Sequence, residues 1–255
     1  ARDRPYGAPD GTGFRPAYLL LCPDCLPSVA LHLRSMHLAN LSARHRSLYA
    51  TKALGGQVKP DKHGHYATSV AEITSTRPLS RHHWFRRLVS NSIATPVTKQ
   101  HRAEMESWGQ WGNTASGCEG GTRRQQLYAD YHPLLIHHVL DVENAHSAIA
   151  RMAVFFTLRR YADAHDASDH DRAAYRYFLF FYAIPGPTIT QSGPSFVSIV
   201  QTDALDQGDG MANYFFNITY SPAVFHFVTT YTRPSLHPPL PLPKLVHDDT
   251  TLALP

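Results

Sequence analysis

The chain has 255 residues, 43% of them hydrophobic, which is enough to bury a substantial core, and no stretch nears the roughly 20 apolar residues that a membrane-spanning helix needs. Three cysteines, an odd number with one close pair, exclude a disulfide framework and point to a reducing or indifferent compartment. The net charge of +4 conceals an asymmetry, because residues 1–130 carry 17 Lys and Arg against 9 Asp and Glu while residues 131–255 carry 7 against 11. A basic half suits nucleic acid or an acidic partner. Its cations are scattered, however, the densest groups being Arg44-His45-Arg46, Arg81 with Arg86-Arg87, and Arg123-Arg124, so a solvated or subunit-facing surface explains them as well.

In chain order, residues 1–16 are polar and rich in Gly, Pro and Arg, an extended N-terminal arm. The apolar run Ala17 to Cys22 is too short for a signal peptide. Ser28 to Leu54 carries apolar residues among good helix formers, starts at a Pro27-Ser28 cap and ends at Gly55-Gly56, which predicts a helix. Residues 57–82 are turn-rich. Residues 84–111 hold all three Trp and run into a Gly- and Ser-rich loop through Gly121. Leu127 to Leu158 has rough helical spacing, although Val154 to Leu158 also reads as a strand.

From Tyr175 the pattern changes. Tyr175 to Ile184 is an apolar and aromatic run halted by Pro185-Gly186-Pro187, which predicts a buried strand ending in a turn. Phe196 to Val200, Tyr214 to Tyr220 and Ala223 to Tyr231 are further strand candidates separated by Gly, Pro and Asp clusters. Residues 233–255 form a Pro-rich C-terminal arm that cannot join a sheet interior, and its Leu236, Leu240, Leu242 and Leu245 are expected to lie over a neighbouring subunit. The expectation is a mainly β fold, an antiparallel two-sheet sandwich with some helix in its N-terminal half, built as one domain over residues 17–232 between two arms.

The motifs speak against catalysis. Cys22-Pro23-Asp24-Cys25 has a zinc-like spacing, but His32, His37 and Cys118 complete no standard set of four ligands. Glu143-Asn144-Ala145-His146 is a single Glu-x-x-His where a di-metal bundle needs two, and the Asp163, His165, Asp166, Asp169, His170 and Asp171 group lies where a solvated turn is expected. No nucleophile elbow, P-loop or dinucleotide fingerprint is present. The chain is therefore expected to have no catalytic residues, no metal and no cofactor.

Taken as one block, Met152 to Pro222 resembles the middle of a picornavirus jelly-roll coat protein, most of all the exposed large shell subunit. The resemblance rests on Met152-Ala153-Val154-Phe155-Phe156-Thr157, on the turn Tyr182-Ala183-Ile184-Pro185-Gly186-Pro187, on Phe216-Asn217-Ile218-Thr219-Tyr220-Ser221-Pro222, and on the Arg233-Pro234 start of the tail. It implies a jelly-roll subunit of a non-enveloped icosahedral RNA virus capsid, cut from a polyprotein, a cleavage with which Ala1 at the start is compatible. Its partners would be other capsid subunits, genomic RNA facing Arg2, Arg4 and Arg15, and a host receptor, and its location the virion and, during assembly, the host cytoplasm. Two other classes stay open: an RNA-associated structural subunit of a large cellular assembly such as an organellar ribosome, and a metal-dependent enzyme using Glu143, His146 and the Asp163 to Asp171 group.

Overall fold

The computed structural model describes residues 23–58, 64–65, 68–69, 72–73, 76–114, 116–134, 136–142, 144–192, 194–231, 243–247 and 249–254. After a 3-10 turn at Pro23–Cys25 come α1 (Leu26–His37), α2 (Ala43–Ala50), β1 (Lys52–Val58), β2 (Thr76–His82), α3 (Trp84–Ser107), α4 (Gly117–Tyr131) and β3 (Ile136–Leu140). Then follow α5 (Ala145–Ala148), α6 (Arg151–Ala162), α7 (Asp169–Phe181), β4 (Gly186–Ser192), β5 (Ser195–Gln201), α8 (Ala212–Tyr231), β6 (Lys244–Val246) and β7 (Asp249–Leu254). Among the described residues the protein is mainly helical, with two small sheets. This corrects the expected jelly-roll sandwich.

The reason is visible in the segments that carried the β reading. Tyr175 to Phe181 is the second half of α7, not a strand. Ser168 and Asp171 cap that helix reciprocally: the Ser168 hydroxyl accepts the Asp171 N–H at 3.1 Å and the Asp171 carboxylate accepts the Ser168 N–H at 2.9 Å. Asp169 and Asp171 also favour the positive end of the helix dipole. Beyond the cap, Ala173, Ala174, Tyr177, Phe178 and Phe181 are buried at helical spacing, so packing outweighs the β preference of the aromatic rings. Pro185 does end the run, but the run is a helix.

Likewise Met152 to Thr157 lies in α6, and Phe216 to Pro222 lies inside α8, whose Tyr214, Phe215, Phe216, Ile218 and Val228 are all buried. A helix apolar on every side has no amphipathic signature to separate it from a row of strands. Two of the stretches that suggested a coat protein, Met152 to Thr157 and Phe216 to Pro222, are therefore helical, while Tyr182 to Pro187 is a turn from α7 into β4, and the described residues form no jelly-roll sandwich. Of the expected strands, Phe196 to Val200 is found, within β5. The expected helix at Ser28 to Leu54 is two helices, α1 and α2, followed by the start of β1.

The chain divides into two compact units, Ala1–Ser92 with Tyr175–Ala212, and Ile93–Ala174 with Asn213–Pro255. The first holds a four-stranded sheet of order β2-β1-β4-β5. Its β1 and β4 run parallel, and each forms an antiparallel pair with its outer neighbour. The second unit holds a three-stranded antiparallel sheet of order β3-β7-β6, with Met105, Val154, Leu158, Phe215 and Leu245 among its buried residues.

Candidate active site

In the second unit, β6 and β7 form a tight hairpin whose last pair is Val246 with Asp249, and His247 enters the turn between them. His247 has a φ of 56°, the left-handed conformation that two-residue hairpin turns favour. On its other side β7 pairs with β3, and Leu140 faces Thr250. β3 ends at Leu140, so Asp141 lies just beyond the last β3–β7 pair, at the same end of the sheet as Asp249 at the start of β7. Asp141 is exposed and makes no ion pair with any described residue.

The first unit holds a different constellation. Asp206 and Asp209, in the loop before α8, are buried together with Lys52 of β1, His82 of β2 and Arg86 of α3. Arg86 Nη2 donates to Asp209 Oδ2 at 2.6 Å and to Asp206 Oδ2 at 3.0 Å, His82 Nε2 donates to Asp206 Oδ2 at 3.1 Å, and Lys52 Nζ bonds Asp206 Oδ1. The hydroxyls of Tyr177 and Tyr182 donate to Asp209 at 2.9 and 2.8 Å, as does the N–H of Met211 at 2.9 Å. The loop also needs a glycine. Gly208 has a φ of +107°, and a Cβ on it would lie 2.7 Å from the carbonyl oxygen of Ser80, whose N–H donates to Gln207 O at 2.9 Å.

Electrostatics assign this cluster. Burial alone would raise both carboxyl groups, but the His82 hydrogen bond and the Arg86 charge hold Asp206 far below its usual range, and Arg86 foremost does the same for Asp209. Burial, then Arg86, lowers His82, which is therefore neutral. His82, Asp206 and Asp209 bring three potential ligand atoms within 4.8 Å of one another. Two fixed cations nevertheless already balance the two carboxylates, so a dication would leave uncompensated charge in a dry interior. The residues do not fit a metal, and the cluster is an internal ion-pair network.

A third group lies in the second unit, beside a cavity of about 660 Å³ lined in part by Trp108, Arg160 and Tyr161. There His101 Nε2 is 2.6 Å from Asp171 and Nδ1 is 2.9 Å from Glu104, while Tyr161 donates to Glu104 at 2.8 Å and Ser168 to Asp171 at 2.7 Å. Burial opposes ionisation of Asp171, but its bonds to His101 and Ser168 hold it below the ordinary range. Both carboxylates are occupied by neighbours.

The residues singled out from sequence are dispersed. Arg2, Arg4, Arg15, Leu236, Leu240, Leu242, Cys22 and Glu143 lie outside the described residues. Leu245 is fully buried in β6 of its own chain. Cys25 and Cys118 are exposed. His146 is 2.9 Å from Asn213 Oδ1. Of the Asp163 to Asp171 group, Asp163, His165 and Asp166 lie in the turn between α6 and α7, whereas Asp169, His170 and Asp171 form the first turn of α7; Asp163 pairs with Arg159 and Asp169 with Arg172, while Asp171 turns inward to His101. Sequence reasoning passed over Asp141 and the Asp248-Asp249 doublet, whose one local signal is an acidic pair between two short apolar runs. Among the described residues no helix is long and apolar enough to cross a membrane. No protein-family model matches the chain, and no curated protein does either.

Proposed function

We propose that the protein is a metal-dependent nucleic-acid polymerase with Asp141 and Asp249 among its catalytic carboxylates. The observation that carries this reading is the β3–β7 register, which brings the backbone of Asp141 and that of Asp249 to the same end of a sheet, with no described cation paired to Asp141. A hard divalent cation such as Mg²⁺ keeps several waters and takes one or two carboxylates plus substrate phosphates, so an open strand end with a few aspartates suits it better than a closed cage. Two such ions, when bound, would neutralise charge on the attacking and leaving oxygens of an in-line phosphoryl displacement.

The polymer substrate is supported by charge. The excess of Lys and Arg in residues 1–130 favours a polyanionic backbone, which basic side chains bind with release of counterions. In the proposed reaction a primer 3′ hydroxyl attacks the α-phosphorus of a nucleoside triphosphate, and pyrophosphate leaves. Asp141 and Asp249 would hold the cations that in turn bind the acceptor hydroxyl and the incoming phosphates. This reading replaces the expectation of a chain without catalysis, and its residues differ from the Glu143 and His146 set weighed for a metal enzyme.

The test is primer extension with Mg²⁺ or Mn²⁺ and nucleoside triphosphates. Its first arm uses an RNA template with a DNA primer and deoxynucleotides, and its second a DNA template. Extension that disappears in Asp141→Asn and Asp249→Asn supports the proposal. Cleavage of the template without extension would make the centre a two-metal nuclease. Absence of both reactions, with no binding of Mn²⁺, would overturn it.

A further inference from the structure

We propose that the edge strand β5 pairs with β5 of a second copy of this chain, antiparallel about a two-fold axis at Ser198, an association that does not depend on the polymerase reading. β5 is the last strand in the order β2-β1-β4-β5, and no described strand pairs with its outer side. Every residue from Ser195 to Val200 is exposed, with Phe196 at 76%, Val200 at 61%, Ile199 at 50% and Val197 at 43%. Successive side chains of a strand point to opposite faces, so Phe196 and Val200 lie on one face of the sheet and Val197 and Ile199 on the other. Both faces of the edge are therefore apolar and open.

An edge strand presents main-chain N–H and C=O groups, and proteins ordinarily guard them with a lysine, a proline, a bulge or an inward-pointing charge. β5 has none of these. From Gly186 to Gln201 the β4–β5 hairpin contains no Asp, Glu, Lys, Arg or His, and β5 contains no proline. The two strands pair without interruption from Gly186 with Gln201 to Ser192 with Ser195, so no bulge turns the edge away. Such an edge offers nothing to a phosphate backbone or a charged peptide. It offers main-chain hydrogen bonds and apolar contact, the two terms of strand addition.

The order of residues along the strand identifies the occupant. Ser195-Phe196-Val197-Ser198-Ile199-Val200-Gln201 reads polar, apolar, apolar, polar, apolar, apolar, polar, the same from either end. A two-fold axis sets a strand against itself in reverse, so that residue i meets j and j meets i. With the axis at Ser198, Phe196 meets Val200 of the second copy, Val197 meets Ile199, Ser195 meets Gln201 and Ser198 meets its own counterpart. Directly opposite residues share a face and form the stabilising unit of a sheet, aromatic with β-branched pairs among the favourable ones. One face thus gathers two Val197–Ile199 pairs at the axis, and the other flanks the serines with two Phe196–Val200 pairs. A shift of one or two steps in either direction sets Ser198 against an apolar residue, so the pattern selects this register.

The experiment is sedimentation velocity of the full chain over a dilution series, with thermal unfolding of each variant. A single strand pair is smaller than a standard interface of about 1,200–2,000 Å², so the wild type is expected to be a dimer that dissociates on dilution. Phe196→Lys loses both Phe196–Val200 pairs, and Ser198→Lys sets two like charges against each other on the axis. Each is expected to weaken the dimer by about tenfold or more and to unfold as the wild type does, because both positions are exposed. Adding Val200→Glu to Phe196→Lys places opposite charges face to face on both sides of the axis, and is expected to recover affinity relative to Phe196→Lys alone. Should Phe196→Lys fail to fold, Ser198→Lys carries the comparison. A wild type that is monomeric at every concentration, the result if another protein takes this edge, would overturn the proposal. So would a dimer that both lysine variants leave unchanged, or a double variant no tighter than Phe196→Lys.

Discussion

The two groups of aspartates use the same side chain to opposite ends. Asp206 and Asp209 in the first unit are buried, and each is met by Arg86, with Lys52, His82 and two tyrosine hydroxyls completing their bonding. Asp141 in the second unit is exposed and makes no ion pair with any described residue. A carboxylate whose charge is cancelled internally stabilises a fold only while its partners stay in place. One left in water contributes little to stability and is free to meet a ligand supplied from outside. The contrast separates a buried cluster that looks like a metal site but is already neutralised from an exposed carboxylate with few local marks.

The largest effect should come from breaking the first group. Asp209→Ala leaves the Arg86 guanidinium and the Tyr177 and Tyr182 hydroxyls buried without their acceptor, and removal of one partner of a buried pair costs about 3–5 kcal/mol. Urea denaturation should show the loss, and a drop under about 1 kcal/mol, the size of an exposed pair, would mean that water reaches the cluster.

Acidification tests the same group through His82. Its folded pKa lies below the ordinary 6.5, so the unfolded chain takes up this proton first. The stability that His82 contributes is complete above pH 6.5 and is lost as the pH falls from there toward the folded value, with a slope of up to about 1.4 kcal/mol per pH unit. Asp206 and Asp209, both depressed, keep their contribution until the pH falls below the ordinary carboxylate range. Denaturation midpoints between pH 7.5 and 5 should decline in the wild type and decline less in His82→Gln. Parallel curves would show that another group titrates.

A smaller effect probes why α7 is a helix at all. Ser168→Ala removes one half of the reciprocal cap and should cost about 1 kcal/mol. Unchanged denaturation would mean that packing alone holds the helix start.

The smallest stability change should be the most telling. Asp141→Asn is expected to leave stability unchanged to within about 0.5 kcal/mol, as substitutions at exposed sites do, while the proposed polymerase activity disappears. A clearly destabilised Asp141→Asn would place this residue with the structural aspartates and erase the contrast between the units.

Much of the punctuation was legible in the sequence. Phe196 to Val200 lies in a strand, and Asp163, His165 and Asp166 lie in a turn, because β-branching and polar clustering act over a few neighbouring residues. The Ser168 to Asp171 cap was also there to be read and would have turned the following segment into a helix. What the sequence could not decide was the state of segments apolar on every side, such as Phe216 to Pro222, since a buried helix and a buried strand both lack a polar face. Nor could it pair β3 with β7 or gather Lys52, Arg86 and Asp206. Those groupings join residues more than a hundred positions apart, and no local preference encodes them: they follow from which apolar surfaces the whole chain can bury together.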